Sequence, residues 1–240
     1  AEVPDYPGAV NGLQLANAGR VARVAVAVDF SRAAVEGAVA AGAQLLLVHH
    51  GMFWGGARPI VGPAYARLRA LVAGDVAVYA AHLPLDVHPT LGNNALLAAE
   101  LGLEPDSGFA RWKTLDVGLS GACDRATAEL VERATAFAAR HGGTVRTTPV
   151  ADGRRTRRWG LCTGAGASTE SLREAAERGI DTLVVGVGPH HTAVEAAELG
   201  LAVIYAGHYA TETLGVRALG DELERTFGLP WDAVGAPTGL

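Results

Sequence analysis

The chain has 240 residues, and 20 Lys and Arg against 25 Asp and Glu leave a formal net charge of -5, with 49% apolar and 19% charged residues. That balance suits a globular protein able to bury a core as one large domain or two lobes, and no apolar block approaches the roughly 18 to 20 residues of a membrane span. The mildly acidic total offers no broad footprint for a nucleic-acid backbone, so nucleic acid is not an expected partner. Cys123 and Cys162 lie far apart in no C-x-x-C motif, which leaves any metal to histidine and carboxylate ligands. No signal peptide is visible, and the sparse cysteine favours the cytoplasm.

From Val21 to Val28 an apolar run ends at Asp29, and Ser31 is placed to cap a helix carrying Val35, Ala38 and Val39, with Gly42 as its stop. Ala43–Val48 then reads as a strand buried on both faces, ending in His49 and His50. Pro63–Ala73 places Leu68, Leu71 and Val72 on one helical stripe, and Asp75–Ala81 is a further buried strand, followed by His82 and, four residues on, Asp86. Thr114–Ser120 alternates as a half-buried strand. Asp124–Arg140 reads as an amphipathic helix opened by its own Asp, and Thr144–Pro149 as another strand before a hairpin turn at Asp152-Gly153. The cluster Arg154, Arg155, Arg157 and Arg158 either grips an anion or, more commonly for such clusters, forms a solvated loop and strand edge.

The second half repeats the plan of the first. Arg158–Gly164 is a strand, Ser168 caps a helix carrying Leu172, Ala175 and Ala176, Gly179 stops it, and Thr182–Val187 is again an apolar strand. Ser31 to Gly42 and Ser168 to Gly179 have the same spacing, and Val78-Tyr79-Ala80-Ala81-His82 matches Ile204-Tyr205-Ala206-Gly207-His208. An internal duplication is expected, the alternative being a chance match of short α/β units.

His49, His50, His82 and His208 all fall where a buried strand ends, the edge at which open parallel sheets bind ligands. Imidazole suits Zn, Mn, Fe, Co or Ni, and adjacent histidines leaving a strand point to opposite sides, so each can serve a different ion. Glu212 follows His208 by four residues, a helical chelate spacing, and a carboxylate there can bridge two cations about 3.5 Å apart. Each strand-end histidine taken singly is more often a satisfied structural residue; their co-occurrence is what points to a site. Asp29 either orients a ligand histidine or holds the turn into the Ser31 helix. His190 and His191 open a helix and can reach substrate oxygens or simply sit at the surface.

Together these motifs resemble the Nif-three-like dinuclear metal-centre family, often labelled GTP cyclohydrolase I type 2 homologues. The resemblance runs from Asn11-Gly12-Leu13-Gln14 through Leu47-Val48-His49-His50-Gly51, Ala81-His82-Leu83-Pro84-Leu85-Asp86 and Gly92-Asn93-Asn94, to Ala206-Gly207-His208-Tyr209-Ala210-Thr211-Glu212 and Pro237-Thr238-Gly239-Leu240. It implies an α/β fold of two related lobes with mixed, largely parallel sheets around a metal cleft. Residues 1–105 would form the lobe with the His-His and H-x-x-x-D motifs, and 106–240 the lobe with G-H-Y-x-x-E. It further implies two divalent transition-metal ions on His49, His50, Asp86, His208 and Glu212, with Glu212 bridging and His82 close by, in a homo-hexamer. Gly51 and Leu83-Pro84 depart from the family's usual Pro and Thr-Asn at those places, which spares the ligands but alters the pocket floor. The chain starts shortly before Asn11, so a leading helix usual in relatives is expected to be missing.

The expected function is therefore a metal-dependent hydrolase of a nucleotide or related small molecule, with His82 or His190 moving the proton. A phosphoester or a cyclic amide fits the same metals, and no Walker A motif marks a nucleotide site. The alternative is a metal-binding carrier, scaffold or regulatory protein without turnover, for which protein partners are expected.

Overall fold

The computed structural model describes residues 3–56 and 58–240. In chain order the strands are β1 Gly12–Leu15, β2 Val24–Asp29, β3 Leu45–His50, β4 Ala77–Ala80, β5 Ser107–Trp112, β6 Leu115–Ala126, β7 Arg146–Thr147, β8 Arg155–Cys162, β9 Thr182–Val185, β10 Ala202–Tyr205 and β11 Trp231–Ala233. The helices are α1 Arg32–Ala40, α2 Gly62–Ala73, α3 Leu83–Asp86, α4 Asn93–Leu101, α5 Thr127–Arg140, α6 Thr169–Glu177, α7 His190–Glu198, α8 His208–Thr211 and α9 Thr213–Phe227. The fold is α/β with two mixed sheets, ordered β1-β4-β3-β2-β11 and β5-β6-β8-β9-β10-β7. Two compact units result, Ala1–Leu85 with Gly215–Ala236, and Asp86–Leu214 with Pro237–Leu240.

In the first unit β2, β3 and β4 are parallel neighbours, with β11 parallel outside β2 and β1 antiparallel outside β4. Ser31 caps α1 by accepting from Ala34 N at 3.1 Å, and Gly42 takes the left-handed conformation that ends it. Ala25, Ala27, Leu46, Val48 and Val78 pack with Val35 and Leu71 into one core. Val39 and Val72, expected on buried stripes, are exposed instead, because α1 and α2 bury narrower faces than their apolar spacing suggests.

The second unit winds its parallel strands in the same way: β8, β9 and β10 are neighbours, joined through α6 and α7. Ser168 and Ser171 form a reciprocal capping box at α6, and Gly179 ends that helix at φ +66°. Alternation along the strands divides the core. Leu161, Val184 and Ile204 face α4 and α5 residues such as Leu97 and Phe137, while Cys162, Leu183 and Val203 face Leu172 and Ala196 of α6 and α7.

Three sequence expectations change here. Asp124 caps no helix: β6 runs on to Ala126 through a bulge against β8, Asp124 accepts from Arg155 Nε at 2.6 Å, and α5 begins at Thr127. Cross-strand pairing thus outweighs the local capping signal. The turn at Asp152-Gly153 joins no hairpin, because β7 pairs antiparallel with β10 rather than with β8. The arginine cluster is solvated only in part: Arg155 and Arg157 are exposed, while Arg154 and Arg158 are half-buried against the sheet. Arg154 donates to the Asp181 and Gly200 carbonyls at 2.6 and 2.9 Å, and the backbones of Arg157 and Arg158 donate to Asp181 Oδ2, each at 2.9 Å.

Candidate metal centre

Parallel register builds the first half of the site. Pairing of β2 with β3 sets Asp29 beside His50, and the Asp29 carboxylate accepts a hydrogen bond from His50 Nδ1 at 2.8 Å. On the other flank of β3, His49 donates from Nδ1 to the Ala81 carbonyl at 2.8 Å, just past β4. The two histidines are thus anchored by opposite neighbours, yet their ring centroids lie only 4.7 Å apart. His82 follows β4, with its ring 4.8 Å from His49 and 5.6 Å from His50. One ring nitrogen of each of the three lies within 4.8 Å of the others.

Each ring has an oxygen on Nδ1, which leaves Nε2 as the nitrogen able to ligate or accept a proton, the usual state of a metal-binding imidazole. For His82 that oxygen belongs to Asp5, at 2.8 Å, with both side chains less than a tenth exposed. Burial raises the Asp5 carboxyl's pKa, but hydrogen bonds from His82, Asn11 and the Tyr6 backbone outweigh it and hold the group below its ordinary value. Trp54 covers the set, 4.5 Å from the His82 ring and 5.5 Å from His50. Gly51 belongs to the same wall: a Cβ there would overlap the Gln14 amide, whose Oε1 accepts from Met52 N at 2.6 Å.

The corresponding edge of the second unit carries His208 and Glu212. Gly207, at φ +91°, turns the chain from β10 into the single turn α8, and the i,i+4 spacing brings His208 Nε2 to 3.2 Å from Glu212 Oε2. Glu212 is almost fully buried and His208 about a third exposed. Gly164, beyond the end of β8, lies against this pair; any side chain there would overlap Glu212 Oε1. Asp86 is buried too, its Oδ1 accepting from Asn93 Nδ2 at 2.8 Å while Asn94 grips the Asp86 and Val117 carbonyls. A cleft of about 350 Å³ opens beside Asp86, lined among others by His88, Asn94 and Asp116. Cys162 is close enough that burial, and after it Asp86 and Glu212, push its thiol up to about 12.

His190 and His191 are exposed on the first turn of α7. Among the residues that line these clusters, Asn93 is marked in the sequence only by the Gly92-Asn93-Asn94 motif, and Asp5, Trp54 and Gly164 carry no periodic or spacing signature. Imidazoles held at Nδ1 by oxygen partners, as in His49, His50 and His82, and buried carboxylates are donors of the kind that fit borderline divalent metals.

The chain belongs to the Duf34/NIF3 (NGG1p interacting factor 3) family, whose profile matches residues 7–233. A protein of Halobacterium salinarum described as GTP cyclohydrolase 1 type 2 homolog is 43% identical over 250 residues, covering 99% of this chain and 94% of the relative. A protein of the same description from Deinococcus radiodurans is 39% identical over 242 residues, covering 98% and 88%. A solved structure described as protein ybgI, of unknown function, superposes with a TM-score of 0.88 at 34% identity, covering 99% of this chain and 93% of that one. Among the described residues, no helix is long and apolar enough to cross a membrane.

Proposed function

We propose that the protein is a metal-dependent hydrolase of a nucleotide or related small molecule. In this reading His49, His50, Asp86, His208 and Glu212 would hold two divalent transition-metal ions, with Glu212 the carboxylate suited to serve both. The observation that carries it is the convergence of three imidazoles whose Nδ1 atoms are all occupied by oxygen acceptors, which leaves their Nε2 nitrogens basic. Bound metal supplies Lewis acidity and lowers the pKa of water towards neutrality. The chain's own residues supply the rest. His82 accepts a proton at Nε2, His190 donates to a substrate oxygen from the start of α7, and Trp54 excludes water from one side of the imidazoles. The substrate class rests on the names of the relatives, and the open cleft beside Asp86 is of a size for a small molecule. The same reading includes a cytoplasmic homo-hexamer.

Elemental analysis of the purified protein beside Asp86→Ala and Glu212→Ala tests this, followed by a metal-reconstituted screen against nucleotides and phosphoesters. The expected result is about two equivalents of transition metal, reduced in both variants, with turnover that follows metal content. Full metal content without turnover would favour a carrier or scaffold. A wild-type protein that refuses metal altogether would overturn the site.

A further inference from the structure

Asp5 is surrounded by donors. Its Oδ1 accepts from Tyr6 N at 2.6 Å and from His82 Nδ1 at 2.8 Å, while Oδ2 accepts from Asn11 Nδ2 at 2.7 Å and from Leu83 N at 2.9 Å. Asn11 closes the clasp by accepting the His82 backbone N–H at 2.7 Å. Four donors arranged two to each oxygen suit a carboxylate and nothing else of that shape: a carboxamide would turn its own NH2 onto one of the two pairs. Because an ionised carboxylate only accepts, the proton in the contact with His82 sits on Nδ1.

From this we infer that Asp5 is a positioning residue, which locks the His82 imidazole as the Nδ1–H tautomer and keeps its Nε2 lone pair available beside His49 and His50. The assignment deepens the proposed hydrolase, since that reading needs His82 to take a proton at Nε2. It makes the segment from Asp5 to Asn11 part of the site, although that segment precedes the strands that carry the histidines. Tyr6 adds its ring 6.1 Å from His82 and 6.0 Å from Trp54, so the same segment brings an aromatic cover with the anchor.

Long-range ¹⁵N NMR of the metal-stripped full chain, with His82 assigned by comparison with His82→Gln, reads the tautomer directly. Neutral His82 protonated at Nδ1 is the expected signature in wild-type protein, and Asp5→Ala, which removes the acceptor from Nδ1, should lose it in favour of Nε2–H. A wild-type Nε2–H imidazole, or an Asp5→Ala protein that keeps the Nδ1–H signature, would overturn the assignment. Should Asp5→Ala fail to fold, the wild-type tautomer alone decides in the same two directions. Titration of the same samples with Zn²⁺ reports on the metal centre separately. A wild-type chain that binds no Zn²⁺ but shows Nδ1–H, lost in Asp5→Ala, would sink the hydrolase reading and support the role of Asp5.

Discussion

At Gly164 the backbone adopts φ +61° and the Cα lies against Glu212, so Gly164→Ala meets two penalties at once, left-handed strain and overlap with Glu212 Oε1. The strain alone costs about 1 to 2 kcal/mol, which urea unfolding will read, and displacement of Glu212 should lower the bound metal in elemental analysis. Asp29→Ala removes the acceptor on His50 Nδ1 and should weaken Zn²⁺ binding about 10- to 100-fold by isothermal titration calorimetry. Cys162 bears on pH dependence. Burial favours its neutral thiol in the folded chain, so on raising the pH the unfolded chain loses its proton first, near pH 9, and the folded one only at about 12. Stability from this group is therefore complete below about pH 9 and disappears between there and about pH 12. Cys162→Ala should flatten that alkaline fall in the urea midpoint. The histidines of the site are legible in the sequence because each ends an apolar run. Asp5 and Gly164 are not, because what defines them is a contact through space with residues tens of positions away.

Among the elements, the two serine-capped helices show what short sequence signals control. Ser168→Ala removes the bond that Ser168 Oγ accepts from Ser171 N at α6 but keeps the reciprocal bond from the residue 168 backbone N–H to Ser171 Oγ, and Ser31→Ala removes the matching bond from Ala34 N at α1; each should cost about 1 kcal/mol, read by urea denaturation. Cap residue, apolar spacing and stop glycine agree at both helices, and both form where the spacing predicts. At Asp124 a local signal of equal quality fails. The residue lies in the long strand β6, whose pairing with β8 and ion pair with Arg155 are worth more than one N-cap bond. The short strand β7 is similarly invisible as a partner of β10, since nothing in Arg146-Thr147 says which edge it will join.

At the scale of the whole molecule, each unit contains three neighbouring parallel strands joined through helices, and in the sequence a histidine shortly after the third strand is followed four residues on by a carboxylate: His82 and Asp86 after β4, His208 and Glu212 after β10. The repeated spacing read from the sequence thus has a repeated topology behind it. The proposed homo-hexamer is checked by light scattering coupled to size exclusion, where a hexameric mass is expected and a monomeric one would remove it.

By itself the sequence determined the α/β class, the strand-end histidines, the capped helices and the likeness of the two halves, because these depend on periodicity and on neighbours within a few residues. Only the tertiary structure decided that residues 215–236 pack with the first unit, that β7 pairs with β10, and that Asp5 holds His82. These are long-range pairings, and their energies come from hydrogen bonds and burial between segments whose separation along the chain carries no local signal.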